Sequence, residues 1–468
     1  MESGVYYSTG LAVMPHTCKG DVPISIPRTR GVTIVSKLTA GGIVMRNCGP
    51  DANGHGFNFL QEHPINNPLF FLSAAEHSGD ALGAALIEAL RQEFPTAEFR
   101  GIGGAKMAAA GCTLLADPTR NSAMLLGALS QIGFWLKLLK QAEADMRLHR
   151  PAVVIPIDSP PVNIRVARIG RRLNTPVCYY VAPQLWAWAP WRISRLIGVV
   201  DTLCCVLPFE ENYFRQRHVH GLYVGHPLFD VATPMPTPAA TPSAQMPQST
   251  RSAPSSQRSA DGPLPASPIK VALLPGSRQA EVQGNLPPML DVVRQVRSRF
   301  SQATFAIAAA DDSRAWQIRA LLRSKGEVAE VRTGMTDAII DWADMVITVS
   351  GTATLQVASR HKPMVVMYAL AAWKWKLAGQ FLVQSRYLSL VNILADRELV
   401  PEFMPFYGST KPLAAAVLHL LENATARAAM TQELEKLVAP MRTFSRQMPA
   451  SRRVALEVAR LMAAQPPA

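Results

Sequence analysis

The texture of hydrophobic and polar positions changes twice along this chain. Up to about residue 66, short apolar pieces are broken by Gly, Pro, Asn and His with no helical period. That stretch reads as a weakly structured extension or a misassigned start. From Pro68 the pattern becomes regular. PLFFLSA (68–74) predicts a strand, and after it Leu82, Ala85, Leu86, Ala89 and Leu90 fall at the i, i+3, i+4 spacing of one helix face. EFRGIGG, AVVIPID, VCYYVA and TLCCVLPF are further strand candidates, alternating with helical sequence. Runs that are apolar throughout read as parallel strands covered on both faces.

Residues 232–268 break the alternation with Pro, Ser, Thr, Ala and Gln, too little apolar surface to fold, so the segment reads as a disordered linker or insertion. The alternation then restarts with IKVALLPGS, ATFAIAAA and DMVITVSG as strands, and MLDVVRQVRSRF and TATLQVASR as helices; 411–437 and 450–464 are helical. Two α/β halves, 67–231 and 269–440, predict two Rossmann-like domains facing a cleft, followed by a helical tail at 441–468. Ligands of such sheets bind beyond the carboxyl ends of the strands. If 233–267 is an insertion, replacing it with a short Gly/Ser link is expected to leave stability within about 0.5–1 kcal/mol in a urea melt. Loss of soluble folded protein would make the segment structural.

Composition narrows the functional classes. The 468 residues carry 47 Lys+Arg against 34 Asp+Glu, a net charge of +13, which favours anionic partners such as nucleotides, sugar phosphates or anionic lipid. Nucleic acid ranks low, because none of its binding motifs is present. No apolar run is long enough to span a membrane, and the N-terminus is a poor secretory signal, so a cytosolic or membrane-surface protein is expected. The six cysteines form no CxxC pair, which argues against a zinc ribbon or disulfide framework; adjacent Cys204 and Cys205 are expected on opposite faces of a buried strand.

Several turns carry candidate chemistry. In SGDALG, Gly79 and Gly83 permit close backbone approach and Ser78 can cap the helix, although a plain tight turn gives the same pattern. Glu76 and Asp80 flank it as loop carboxylates or dipole partners. LPGSR places Arg278 after Gly276 and Ser277, where a guanidinium fork and glycine N–H groups suit phosphate. SGTATLQ repeats that layout with Ser350, Gly351 and Thr352. Asp158 ends the apolar run VIPID, a place that implies the cleft and allows proton abstraction from a hydroxyl, or simply a helix-cap role. QLWAWAPWR holds Trp186, Trp188 and Trp191, which wall a site or pack a core. His226, beside Pro227, has no second histidine at metal spacing and reads as structural. Residues 124–141 are strongly apolar: Leu125, Leu129, Ile132, Leu136 and Leu139 lie at helical offsets, with Phe134 and Trp135 beside them, as in an interfacial helix or a covered core helix.

In this order the motifs AEHSGDALGA, FRGIGGAKMAAAG, IDSPPVN, YYVAPQLWAWAPWRI, LPFEENYF, VGHPL, LLPGSRQAEV, SGTATLQVA, PMVVMY and SLVNILADRELVPE resemble the lipid-A-disaccharide synthase family, from about Phe70 to Pro440. The resemblance implies a GT-B glycosyltransferase with no metal and no cofactor. It would join UDP-2,3-diacylglucosamine to 2,3-diacylglucosamine 1-phosphate, forming a β(1→6) disaccharide and releasing UDP. It implies Asp158 as the essential carboxylate, and Glu76, which flanks the glycine turn, is the second catalytic candidate. The resemblance implies UDP contacts at Arg278, Ser350, Gly351, Thr352 and Asn392, and Ser78, Gly79 and Gln356 are further candidate substrate contacts. Leu125, Leu129, Ile132, Phe134, Trp135 and Leu136 would dock on the inner face of the cytoplasmic membrane. Family members also form homodimers with exchanged C-terminal segments. Three positions depart from the family pattern: Pro161 and Gln356 replace carboxylates, and Ala75 replaces a glycine. The rival readings are a non-catalytic or divergent GT-B paralogue that binds a nucleotide-sugar or lipid, and a UDP-sugar epimerase.

Overall fold

The computed structural model describes residues 33–39, 42–48, 67–118, 128–187, 189–230, 268–369 and 385–464. The chain divides at Asn67 into two units. In the first, β1 (Thr33–Thr39) and β2 (Gly42–Cys48) pair antiparallel, with Thr33 opposite Cys48 and Thr39 opposite Gly42. Thr33, Ile34, Val35, Ile43 and Val44 supply β-branched residues to this ladder. The N-terminal stretch therefore holds a paired ribbon that its lack of helical period did not announce.

In the second unit the described residues form two parallel sheets. The first comprises β3 (Leu69–Ala74), β4 (Glu98–Ile102), β5 (Thr113–Ala116), β6 (Val153–Ile157), β7 (Cys178–Tyr180), β8 (Thr202–Cys205) and β9 (Gly221–Tyr223), in the order β5-β4-β3-β6-β7-β8-β9. Around it lie α1 (His77–Glu93), α2 (Ala105–Ala109), α3 (Ala128–His149), α4 (Pro160–Arg172) and α5 (Glu210–Arg215). The second comprises β10 (Lys270–Leu274), β11 (Thr304–Ala309), β12 (Glu330–Thr333), β13 (Met345–Val349), β14 (Met364–Ala369) and β15 (Glu402–Phe406), in the order β12-β11-β10-β13-β14-β15. Its helices are α6 (Gln279–Arg299), α7 (Asp312–Lys325), α8 (Thr336–Trp342), α9 (Thr352–Ser359), α10 (Leu390–Ala395), α11 (Lys411–Glu422) and α12 (Ala424–Gln447); α13 (Ala450–Ala463) closes the chain.

In each sheet the chain winds outward one way and then returns to the centre to wind the other way. The reversal falls between β3 and β6 in the first sheet and between β10 and β13 in the second. In doubly wound sheets the crevice opens at that switch point. Its flanking turns are 75–76 and 158–159 in one sheet, and 275–278 and 350–351 in the other. The expected cleft turns therefore occupy both switch points.

Burial on both faces accounts for the apolar strands. Phe70, Leu72 and Ala74 pack in one core cluster while Phe71 packs in another. Cys204 and Cys205 divide the same way, as expected, and all four residues of their strand are fully buried. On α1 the buried apolar residues are Leu86, Ile87, Ala89 and Leu90; Ala85, expected on that face, is exposed. Ile87 takes part of its place because the helix is covered over a wider arc than a single stripe.

The C-terminal helix returns to the first sheet. Ala450, Val454, Ala455 and Val458 join the cluster that holds Phe70, Leu72 and Leu86. Asp230 accepts a hydrogen bond from the Ala450 N–H (2.8 Å), and buried Glu457 accepts one from the Thr202 hydroxyl (2.6 Å). The expected boundary at 440 is crossed by α12, which contains Pro440. The expected insertion lies outside the described residues.

Candidate functional site

Each candidate carboxylate sits where an apolar strand runs out. β6 ends at Ile157, and Asp158 and Ser159 follow with φ of 51° and 43°. This left-handed backbone is tolerated by Asp and Asn more readily than by other L-residues. The bend is held by main-chain and buried side-chain groups. The Asp158 N–H donates to the Tyr180 carbonyl (2.9 Å), and the Asp158 carbonyl accepts from Tyr179 Oη and Asn163 Nδ2 (2.8 Å each). Asn163, fully buried, also donates to the carbonyls of Ile157 (2.7 Å) and Ser73 (3.1 Å), and accepts from Ser73 Oγ (2.7 Å). It joins the ends of β3 and β6, the two strands at the switch point, a role sequence inspection had missed.

The contacts that hold the bend leave the Asp158 carboxyl half-buried, with the Ser159 N–H as its main-chain partner. Burial pushes its pKa above the usual carboxylate value; the Ser159 N–H partly relieves this, Glu76 adds to it, and Arg278 opposes it. A carboxylate with raised proton affinity is a stronger general base.

Across the cleft, β10 runs into Pro275, Gly276, Ser277 and Arg278, and α6 begins at Gln279. Gly276 has φ of 114°, and a Cβ there would approach the Glu281 side chain to 2.6 Å, so only glycine fits. Glu281 Oε2 accepts the N–H groups of Ser277 (3.0 Å) and Arg278 (3.1 Å). Buried Asn285 ties the Pro275 carbonyl (3.3 Å) to the Ala369 N–H (2.6 Å) at the end of β14. The Arg278 fork then spans two carboxylates: Nη1 lies 3.3 Å from Glu281 Oε1, and Nη2 lies 3.2 Å from Glu76 Oε2. The second contact links the β3–α1 turn of one sheet to the β10–α6 turn of the other. The structure therefore brings Glu76, Asp158 and Arg278 together from separate parts of the chain.

The other expected site residues divide into exposed turns and scaffold. Ser78 lies within α1, whose N-cap is Glu76 and has no side-chain cap bond, so the expected capping by Ser78 is not made. It is exposed; Gly79 is buried, and a Cβ on it would come within 3.2 Å of Ala74 Cβ. Asp80 is neither a solvated loop carboxylate nor a cap of its own helix. It is buried and accepts the N–H groups of Gly104 (2.7 Å), Lys106 (3.0 Å) and Met107 (3.0 Å) at the start of α2. Gly351 has φ of 127°, and Thr352 is exposed at the first position of α9. Ser350 Oγ donates to the Leu388 carbonyl (2.8 Å).

Asn392 is fully buried. Its Nδ2 donates to the Val400 carbonyl and Glu402 Oε2 (3.0 Å each), and its Oδ1 accepts from Leu399 N (2.9 Å) and Val400 N (3.0 Å). Both amide hydrogens and both oxygen lone pairs are used within the protein. Glu402 also accepts from Leu388 N (2.7 Å) and Ser389 N (3.0 Å), so this pair holds the segment to which Ser350 is tied. Gln356 Nε2 donates to Asp337 Oδ1 (2.8 Å).

Of the aromatic cluster, Trp186 is half-buried. Its Nε1 donates to Glu210 Oε1 (2.9 Å), and its ring stands edge-on to Phe209 at 5.0 Å. Glu210, fully buried, also accepts from the Val206 and Leu207 N–H groups (3.0 Å each), and burial pushes its pKa up to about 7. Trp191 is exposed, and Trp188 lies outside the described residues. His226 Nδ1 accepts from the Leu228 N–H (3.1 Å), and burial lowers its pKa to about 4, so it caps its turn as a neutral ring.

Leu125 and the side chains of Leu129 and Ile132 lie outside the described residues. On α3, Phe134 and Trp135 form an edge-on pair at 5.3 Å and are partly buried against the core; Leu136 is exposed, and Leu138 and Leu139 are buried. Among the described residues no helix is long and apolar enough to cross a membrane. No group of His, Cys, Asp and Glu among them is arranged to hold a metal ion.

Two doubly wound sheets meeting at their carboxyl ends, with an arginine-bearing Gly-Ser turn facing strand-end carboxylates, define a GT-B fold. Solved structures share it: the S. aureus MnaA–UDP co-structure (TM-score 0.51, 12% identity, 78% of this chain and 91% of that one) and the glycosyltransferase of kitacinnamycin (TM-score 0.51, 14% identity, 85% and 100%). Residues 70–455 match the lipid-A-disaccharide synthetase family, and the chain belongs to it. It is a glycosyltransferase of lipid A biosynthesis. Curated relatives carrying the name lipid-A-disaccharide synthase include those of Syntrophus aciditrophicus (32% identity, 80% of this chain and 93% of the relative) and Alcanivorax borkumensis (33%, 85% and 98%).

Proposed function

We propose that the chain joins UDP-2,3-diacylglucosamine to the 6-hydroxyl of 2,3-diacylglucosamine 1-phosphate with inversion, releasing UDP without a metal. The observation that carries this is the meeting of Asp158 and Arg278 at the two switch points, within a chain of this family. Asp158 takes the proton of the attacking hydroxyl. Arg278 and the N–H groups at the 350–352 turn stabilise the diphosphate leaving group, work that fixed dipoles and a guanidinium can do. Asn392 and Glu402 act here by holding that turn. Gln356, engaged with Asp337, meets the nucleotide through its remaining amide capacity. UDP release on mixing the two acylated sugars tests the reading. Absence of release with well-folded protein would leave a non-catalytic binding paralogue.

Both substrates carry two acyl chains, and each buried CH₂ is worth about 0.8 kcal/mol, so pulling them through water is prohibitive. Peripheral docking on the inner face of the cytoplasmic membrane avoids that cost. Residues 125–136 supply the apolar contact. A groove of about 560 Å³ between α3 and α4 is lined by Leu136, Lys140, Arg165, Arg168, Arg171 and Arg172, among others. Arg171 and Arg172 pair with Asp201 and Glu143, whereas Lys140, Arg165 and Arg168 are exposed and have no partner among the described residues. A cation near an anionic surface contributes about 1 kcal/mol. Arg165→Ala and Arg168→Ala are each expected to weaken binding to phosphatidylglycerol vesicles about 5-fold, with UDP affinity unchanged. Vesicle binding that stays the same in the double variant would remove this groove from the docking surface. Dimer formation enters the reading from the family resemblance alone, and sedimentation tests it.

A further inference from the structure

The Glu76–Arg278 contact joins residues 202 positions apart and spans the two sheets. Both backbones are fixed. Glu76 is the N-cap of α1, and its carbonyl accepts the Asp80 N–H (2.9 Å); Arg278 is the N-cap of α6, and its N–H is held by Glu281. Both side chains are nonetheless mostly in solvent, with relative exposures of 51% and 67%. Their positions are thus set at the helix ends while the charged tips can exchange partners. The two arms of the guanidinium are not equivalent. Nη1 faces Glu281, a largely buried carboxylate of the same turn, and Nη2 reaches across the cleft to Glu76.

A planar guanidinium binds one bidentate anion well, and a diphosphate needs the same N–H groups that a carboxylate uses. We propose that Glu76 is a competing positioning residue: it holds the outer arm of Arg278 across the cleft, and the diphosphate of the nucleotide sugar displaces it. Glu281 keeps the inner arm throughout, so the fork stays aimed while its partner changes. The exchange leaves the Glu76 carboxylate beside Asp158, whose proton affinity Glu76 raises and Arg278 lowers. Donor binding thereby shifts the electrostatic surroundings of Asp158 towards stronger basicity. The proposal rests on the reading that Arg278 receives the diphosphate.

Calorimetric titration of UDP into the full chain tests it. An exposed ion pair contributes about 0–1 kcal/mol, up to roughly a 5-fold change in binding. Glu76→Gln is therefore expected to tighten UDP about 2- to 5-fold, and Glu76→Ala should act in the same direction. The gain should shrink as salt is raised, because screening weakens the competing pair. It should vanish when Arg278→Ala is present in the same chain. Unchanged or weaker UDP binding in both Glu76 variants, with Arg278→Ala still weakening UDP, would overturn the competition and leave the diphosphate reading standing. No effect of Arg278→Ala would remove that reading and the proposal with it.

Discussion

Asp158→Asn is expected to lower kcat by roughly 10²–10⁴-fold, the range that loss of a general base gives, while leaving UDP affinity close to that of the parent. The substitution suits this position. Asp158 has φ of 51°, and asparagine tolerates that backbone as aspartate does, whereas alanine would add strain. The contacts that hold the bend use the Asp158 N–H and carbonyl, which the variant keeps. What changes is the group that accepts the proton. The pH profile supplies a second reading. The base must be ionised, so the rate falls as pH drops through its pKa, and burial puts that fall above the usual carboxylate range. Near-normal turnover in the asparagine variant, or an acidic limb at an unperturbed carboxylate value, would remove Asp158 from proton transfer.

Strands and their carboxyl ends were legible in the sequence because a fully covered parallel strand has little choice of residue. VVIPI before Asp158 and MVITV before Ser350 are apolar at nearly every position, and both are buried throughout. The opposite facing of Cys204 and Cys205 followed from the two-residue period. Helix extents were less legible where packing overrode propensity. Gly284, Pro287 and Pro288 argue against a helix before Met289, yet α6 begins at Gln279. Val282, Leu286, Met289, Leu290, Val293 and Val296 form one buried face along it, and that burial outweighs the local cost.

Polar partners were the least legible part, for a physical reason. Asp80 looks like any acidic residue in a first helical turn, but its acceptors are used by Gly104, Lys106 and Met107 on another element. Asn163 and Asn285 read as ordinary helical polar residues until the sheet brings unpaired main-chain groups to them. Buried polar groups must be satisfied, but which groups satisfy them depends on the fold. A polar residue between apolar neighbours inside a motif, such as Asn163 in PPVNI or Asn392 in LVNIL, was the available signal. The same reasoning divides the candidate site: Asn392 is buried and saturated by the protein, whereas the Arg278 guanidinium is exposed and held only by carboxylate pairs.

Arg278→Ala is expected to weaken UDP by about 10–200-fold. A charge-assisted bidentate contact is typically worth ~1.5–3 kcal/mol, which spans nearly all of that range, and desolvation raises it. The turn itself should survive. Pro275 and Ser277 are held through Asn285 and Glu281, and the Glu281 bond to residue 278 uses its N–H, which alanine retains. Loss of affinity would thus report the guanidinium rather than a collapsed loop. Lysine should restore only part of it, because a single ammonium cannot face Glu281 and a phosphate with two parallel N–H groups. The cross-cleft pair sharpens the expectation. If, as proposed, UDP gains Arg278 only by displacing the Glu76 paired with it, the measured loss understates the full contact. The loss should therefore be larger when both chains also carry Glu76→Gln. Calorimetry on the four chains of this cycle separates the two effects. Equal UDP affinity with and without the Arg278 side chain would place the diphosphate elsewhere in the cleft.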